Sequence, residues 1–184
     1  LITGTSCRGR EGDLAREPQM LGGYLNASTI YDKTVYHTVL PSARGALARA
    51  VDIQSDALMH SALDEDELSR ELEVVIQEAK RKLDNPPAVA TETLYRLLFS
   101  VHRMRRWRIG TEDGLRRIDA TALREYYRSR YAPQRTIVSL VGDLDPDDAL
   151  ELGTRAYGGW SVRSTPIEGS PAEPAGARAL IEWS

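Results

Sequence analysis

Two glutamates on one helical stretch are the residues of this chain best spaced to do chemistry. The segment runs Glu67-Leu-Ser-Arg-Glu71-Leu-Glu-Val-Val-Ile-Gln-Glu78. Glu71 and Glu78 are seven residues apart, two helical turns, so their carboxylates share a face. At about 100° per residue, Leu68, Leu72, Val75, Ile76, Ala79 and Leu83 form an apolar stripe. Glu71 and Glu78 fall at its edge, with Val74 closing the arc on their other side. Arg70, Glu73, Gln77, Lys80 and Arg81 take the opposite, wet face. A carboxylate against an apolar arc costs desolvation energy unless something compensates it. A metal ion is one such compensator. The other is ordinary: Glu78 paired with Lys82 at i,i+4, and Glu71 solvated at the stripe's edge.

The elements that must position these side chains belong to a globular chain. It has 184 residues, enough for one sizeable core, with 41% hydrophobic and 28% charged residues. The net charge of −3, with both signs mixed along the chain, gives no global pull toward nucleic acid or anionic membrane. No apolar run reaches the roughly 20 residues of a membrane span. The single cysteine, Cys7, excludes an internal disulfide and any cysteine-based zinc site. The chain opens on Leu1 without Met and stops in what reads as the start of a strand, so a portion of a longer protein is expected. No compartment can be assigned from such a start.

The order of elements reads as follows. A short helix over 12–21 is interrupted by Pro18 and ended by Gly22-Gly23. Strands over 24–30 and 34–40 flank the Asp32-Lys33 turn and make an antiparallel hairpin. Ser42 caps a helix over 45–61, with Leu47, Val51 and Leu58 on one face. Asp64 caps the glutamate helix, which Asn85-Pro86-Pro87 stops. A helix over 89–99 precedes the basic run His102–Arg108, and Ile109-Gly110-Thr111 makes a turn. A further helix ends at Tyr131-Ala132-Pro133. A buried strand over 136–141 and a last helix from Asp145-Pro146 to Tyr157 complete the pattern. Residues 161–176 are rich in Pro, Gly and Ser and read as a linker or long loop, and 177–184 as the start of a following strand. Runs of helices segregated from strands predict an α+β fold.

Other chemistry has less support. His37, His60 and His102 form no His-x-x-x-His or His-x-x-Glu-His pair. His37 reads as a polar strand position and His60 as a helix-end cap. Four arginines lie between Arg103 and Arg108, but the run is short and the rest of the chain is acidic. It reads as a loop facing a partner domain, not as a nucleic-acid interface. Phosphate-loop and serine-hydrolase patterns are absent.

Several segments resemble one family. Leu21-Gly-Gly-Tyr-Leu-Asn26-Ala27-Ser-Thr through Thr34-Val-Tyr36 is similar to the "GG-x-x-NA-x-T … T-x-Y" stretch of the insulinase and pitrilysin zinc metallopeptidases, which include the mitochondrial processing peptidases. Glu71-x-x-Val-Val-x-x-Glu78 resembles their distal glutamate motif, followed by Asn85-Pro86. Ile109-Gly110-Thr111 and Tyr131-Ala-Pro133 … Val141-Gly142-Asp143 match later signatures in the same order.

The resemblance implies that Glu78 takes a zinc-ligand position and Glu71 a nearby supporting, catalysis-assisting one. It implies that Asn26 and Ala27 lie on the edge strand that pairs with the backbone of a peptide or protein substrate. The family's other two ligands are histidines of an inverted His-x-x-Glu-His motif, whose glutamate serves as general base. That motif is not in this sequence and is expected just upstream of Leu1. Two further departures are Pro18, in a helix that is usually continuous, and the His102–Trp107 stretch.

The expected architecture is most of an amino-terminal peptidase domain over 1–160, working with a second homologous domain or subunit. The expected function is part of a zinc-dependent endopeptidase or oligopeptidase, the chain alone being inactive for want of its histidines. The alternatives are a non-catalytic family subunit acting as scaffold, and a peptide-binding module that uses the edge strand alone.

Overall fold

A computed structural model describes residues 4–5, 13–43, 45–166, 169 and 172–174. Its elements are α1 (Asp13–Met20), β1 (Tyr24–Thr29), β2 (Thr34–Val39), α2 (Ala46–Met59), α3 (Glu65–Leu83), α4 (Pro86–Leu98), α5 (Glu112–Leu115), α6 (Ala120–Arg130) and α7 (Pro146–Tyr157). Two strands and seven helices among the described residues make it α+β. The expected strand over 177–184 lies outside the described residues. By internal contacts the chain divides into two units. The first comprises Leu1–Ser28, Thr34–Ser69 and Asp119–Pro166, and the second Thr29–Lys33, Arg70–Ile118 and Ile167–Ser184.

Proline does not break α1. The helix runs through the buried Pro18, which forgoes one backbone bond near the helix end. Pro18 then helps to terminate it. Gly23 N–H donates to Pro18 O at 2.8 Å and Gly22 N–H to Gln19 O at 2.9 Å, with Gly22 at φ +77°. This is the double-bonded, left-handed helix ending that glycine permits. Gly23 is required for a different reason. A Cβ there would sit 2.1 Å from Val39 O and 2.4 Å from Leu40 Cδ2. Gly23→Ala is therefore expected to lower stability by about 1–3 kcal/mol, as overpacking does. Urea unfolding measures it, with Gly153→Ala, which meets no neighbouring atom, as the mild control.

The core of the first unit forms on an alanine-rich face of α2. Ala46, Ala50, Ile53 and Ala57 recur at helical spacing and are all buried, Ile53 completely. Small side chains let helices approach closely, and both α1 and α7 pack on α2. Sequence pattern pointed to Leu47, Val51 and Leu58. Val51 is buried, but Leu47 and Leu58 are only half-buried. Gly45, at φ +81°, occupies the N-cap without a side-chain bond, so Ser42 is not the cap.

Leu63 leads into α3 and is the one described non-glycine residue with positive φ, at 47°. The left-handed conformation costs a branched residue about 1–2 kcal/mol. Burial of its side chain and a 3.0 Å bond from Arg124 Nη2 to its carbonyl hold it there. Asp64 then caps α3 as expected, its Oδ1 accepting from Asp66 N–H at 3.0 Å and Glu67 N–H at 3.2 Å.

Tyr36 Oη and Tyr131 Oη lie 2.9 Å apart, and the Tyr127 hydroxyl donates to Leu58 O. Burial, then the bond to Tyr131, pushes the Tyr36 hydroxyl far above the ordinary range of a phenol. The unfolded chain ionises this phenol near 10 while the folded one keeps it neutral, so stability is lost as pH rises above about 10. Tyr36→Phe is expected to flatten the alkaline limb of a Tm-versus-pH curve while lowering Tm at pH 7 through the lost bond.

Two expected boundaries move. Asn85-Pro86-Pro87 stops α3 and also starts α4: Asn85 Oδ1 accepts from Ala88 N–H at 3.2 Å, and proline fills the first turn, where its missing N–H costs nothing. The strand expected over 136–141 does not form. Ile137 is 94% exposed and Val141 91%. A strand exists only through a neighbour's N–H and C=O groups, and the β1–β2 pair is the only sheet among the described residues.

Candidate active site

In the second unit, α3 carries both glutamates. Ile76, 1% exposed, and Ala79 pack with Leu115 of α5, and Val75 and Ile109 border them. This contact fixes the rotation of the helix. Val74 and Leu83, at the margins of the apolar arc, are 57% and 62% exposed. The wet face is held by ions. Arg116 Nη1 meets Glu73 Oε1 at 3.1 Å, Arg116 Nη2 meets Glu112 Oε1 at 2.9 Å, and Lys80 Nζ meets Glu112 Oε2 at 3.1 Å. The bond from Arg116, then that from Lys80, hold the Glu112 carboxyl below its ordinary value.

With that rotation set, Glu71 is half-buried and Glu78 exposed, on one face of the helix and about 10 Å apart along its axis. Lys82 Nζ lies 3.4 Å from Glu78 Oε1. This is the i,i+4 pair that the sequence offered as the ordinary alternative. Exposed helical pairs of this kind contribute only about 0.3–0.5 kcal/mol, so the carboxylate is lightly tethered. Glu71 has no ion pair or hydrogen bond among the described residues. The most buried glutamate of α3 is Glu67, in the first turn, where a negative charge faces the positive end of the helix dipole. No sequence signal singles it out from the other glutamates of the helix.

A catalytic zinc ion takes three protein ligands and leaves a fourth position open. No group of three metal-ligating side chains occurs among the described residues. Glu78 has the right chemistry for one corner of such a site, a mobile carboxylate on a rigid helix. The described residues fit that one corner and no more.

Asn26 and Ala27 belong to β1 in the first unit, and both are exposed. Their roles separate once the register is known. Ile30 N–H donates to Lys33 O at 3.0 Å across the turn. Antiparallel pairs alternate between bonded and non-bonded residues. Counting back from Ile30, Ser28, Asn26 and Tyr24 bond to β2, while Thr29, Ala27 and Leu25 turn their backbone groups to the outer edge. Tyr24 and His37 accordingly meet on one face, ring centroids 6.0 Å apart. The outward Ala27 N–H is taken by the Asn26 side chain, Oδ1 at 2.7 Å. The amide thus covers an edge donor and can release it by rotating χ1.

Elsewhere in the first unit an open cleft of about 1190 Å³ lies among α1, α2 and α7. Asp56, almost fully buried, accepts from Thr5 Oγ1 at 2.7 Å and meets His60 Nδ1 at 3.1 Å on its rim. None of the four residues that the sequence singled out lines this cleft.

Comparison with known proteins identifies the family. Residues 1–112 match the model of insulinase (peptidase family M16), and residues 117–180 match that of the peptidase M16 inactive domain. A zinc protease of Mycobacterium leprae is 30% identical over 177 residues, 90% of this chain and 39% of the relative. The mitochondrial-processing peptidase subunit beta of Saccharomyces cerevisiae is 27% identical over 172 residues, 93% of this chain and 37% of the relative. The chain thus spans well under half the length of these curated relatives. Among solved structures, a protease from Helicobacter pylori aligns with a TM-score of 0.80 at 22% identity, covering 94% of this chain and 41% of that one. The ferredoxin protease solved in complex with Arabidopsis ferredoxin aligns at 0.81 and 20% identity, covering 92% and 19%. The helices, the hairpin and both family matches lead to one conclusion: this chain belongs to the insulinase family of peptidases, family M16.

Proposed function

We propose that this chain is one portion of a zinc-dependent endopeptidase or oligopeptidase in which Glu78 supplies one metal ligand. The supporting observation is the presentation of Glu78: exposed, lightly tethered, and set on a helix whose rotation is locked by Ile76 and Ala79. When bound, zinc supplies an activated water for peptide hydrolysis. Glu71, two turns earlier on the same face, is a supporting carboxylate that orients groups around the ligand. The outer edge of β1 takes an extended substrate by strand addition, with Ala27 N–H donating to a substrate carbonyl once Asn26 Oδ1 releases it. Main-chain pairing of this kind recognises backbone and tolerates varied side chains. Partners of the whole protein are then a peptide or protein substrate and a second homologous domain or subunit.

The register supplies the test of the strand. Ala27→Pro removes an edge N–H without touching the ladder to β2, a position where sheets tolerate proline. In a peptidase carrying this chain, it is expected to raise KM several-fold with little change in Tm. Asn26→Pro removes a ladder bond as well and is expected to lower Tm. An unchanged KM in Ala27→Pro would rule out strand pairing at this edge.

A second reading is a non-catalytic family subunit that keeps the fold as scaffold or peptide-binding partner. The Glu78–Lys82 pair favours it, because a carboxylate already satisfied by lysine needs no metal. Zinc content decides between the two.

A further inference from the structure

Outside the glutamate helix and the edge strand, the described residues of the second unit hold a carboxylate engaged by backbone donors. Three consecutive backbone N–H groups converge on the carboxylate of Glu173. Ser100 N–H donates to Oε2 at 2.7 Å, and Val101 and His102 N–H donate to Oε1 at 2.9 and 2.5 Å. Successive N–H groups directed at one point form a concave anion site in which each bond is charge-assisted.

We propose that the Ser100–His102 turn is a carboxylate-binding site for acidic peptide segments, filled in this chain by its own Glu173. Three observations carry it. The receptor is built by the chain just past α4, with Phe99 extended at φ −110°, ψ 130° and His102 at φ −63°, ψ 143°. His102 is also fixed from within, its Nδ1 accepting from Met104 N–H at 3.2 Å. The surroundings are cationic: Arg103, Arg105, Arg106 and Arg108 follow directly, all exposed. Arg108 lies over the Tyr31 ring at 5.8 Å, and the other three make no ion pair among the described residues. The occupant is imitable. Glu173 stands 71 residues beyond His102, between Ala172 and Pro174, and these three residues belong to neither helix nor strand. A short extended peptide can present the same carboxylate in trans. The turn just before the basic run thus already holds one carboxylate of the chain itself.

The test uses the full chain and the amide resonances of Ser100, Val101 and His102. Glu173→Gln, an isosteric change at a half-buried position, is expected to move all three upfield as the charge-assisted bonds weaken. The blocked tripeptide Ala-Glu-Pro is expected to restore them saturably in that variant. In the unchanged chain the tethered Glu173 competes for the same donors, so the midpoint there is expected to lie higher than in the variant. Ala-Gln-Pro is expected to bind at least about ten-fold more weakly than Ala-Glu-Pro. Unmoved amides in Glu173→Gln would overturn the contact. No restoration up to about 10 mM peptide would make it an internal clasp and overturn the receptor. Equal binding of the glutamine peptide would overturn the role of charge.

Discussion

Replacing Glu78 with glutamine in a peptidase that carries this chain is expected to cut both its zinc content and its hydrolytic rate by more than about 100-fold. Outer-shell partners of a metal cost about 10–100-fold when removed, and loss of a ligand exceeds that range. Glutamine keeps the shape of the side chain but not the negative charge that a divalent ion requires. Glu71→Gln is expected to fall within the 10–100-fold range, with most of the zinc retained. The competing ion pair does not weaken the argument. Lys82 holds Glu78 at 3.4 Å on the exposed surface, worth about 0.3–0.5 kcal/mol, far less than a ligand bond to zinc. Lys82→Ala is therefore expected to leave zinc content unchanged. Zinc measured by elemental analysis after dialysis separates the two readings of this chain. A protein that never holds zinc, with or without Glu78, is the scaffold subunit. A protein whose zinc survives Glu78→Gln takes its carboxylate ligand from elsewhere. In the isolated 184-residue chain the same substitution is expected to change stability by no more than about 0.5 kcal/mol, as for most surface changes.

The features legible in the sequence were those written in local chemistry. Asp64 and Asp145, read as helix starts, each cap a helix through a side-chain oxygen, and such caps depend on three or four neighbouring residues. Gly22-Gly23 announced the end of α1 for the same reason. What stayed hidden depends on long-range packing. Pro18 looked like a break because its neighbours in sequence do not show that it is buried and that its carbonyl serves the helix ending. The alanines of α2 carried no hydrophobic signal, yet they form the buried face on which α1 and α7 pack. Residues 136–141 have strand composition, but composition cannot supply a neighbouring strand. The candidate site divides the same way. Helical periodicity placed Glu71 and Glu78 on one face. Only the register of the hairpin showed that Ala27, and not Asn26, turns its backbone outward. Nothing in the sequence linked Glu173 to the turn after α4.

The rotation of α3 is what turns periodicity into position, and Ile76→Ala tests it with the largest expected effect on folding. Ile76 is 1% exposed and packs with Ala79 and Leu115, while Val74, two residues earlier, is 57% exposed. Truncating a buried isoleucine to alanine costs about 2–5 kcal/mol, through lost burial and the cavity left behind. For a chain of this size each kcal/mol lowers Tm by about 2–4 °C. Ile76→Ala is therefore expected to lower Tm by at least about 4 °C, whereas Val74→Ala stays within about 0.5 kcal/mol of the parent. Calorimetry suits the measurement, because two units can unfold in two steps. The loss is expected in the transition of the unit that holds residues 70–118. Equal losses for the two substitutions would mean that α3 is rotated from the position described, and Glu78 would then not stand at the rim of the apolar face. The consequence reaches the chemistry. Glu78 follows Ile76 by two residues and precedes Ala79 by one, so the side chains that anchor the helix bracket the one offered to the metal. A cavity at Ile76 is expected to loosen that carboxylate and to weaken zinc binding in the peptidase while leaving every donor in place.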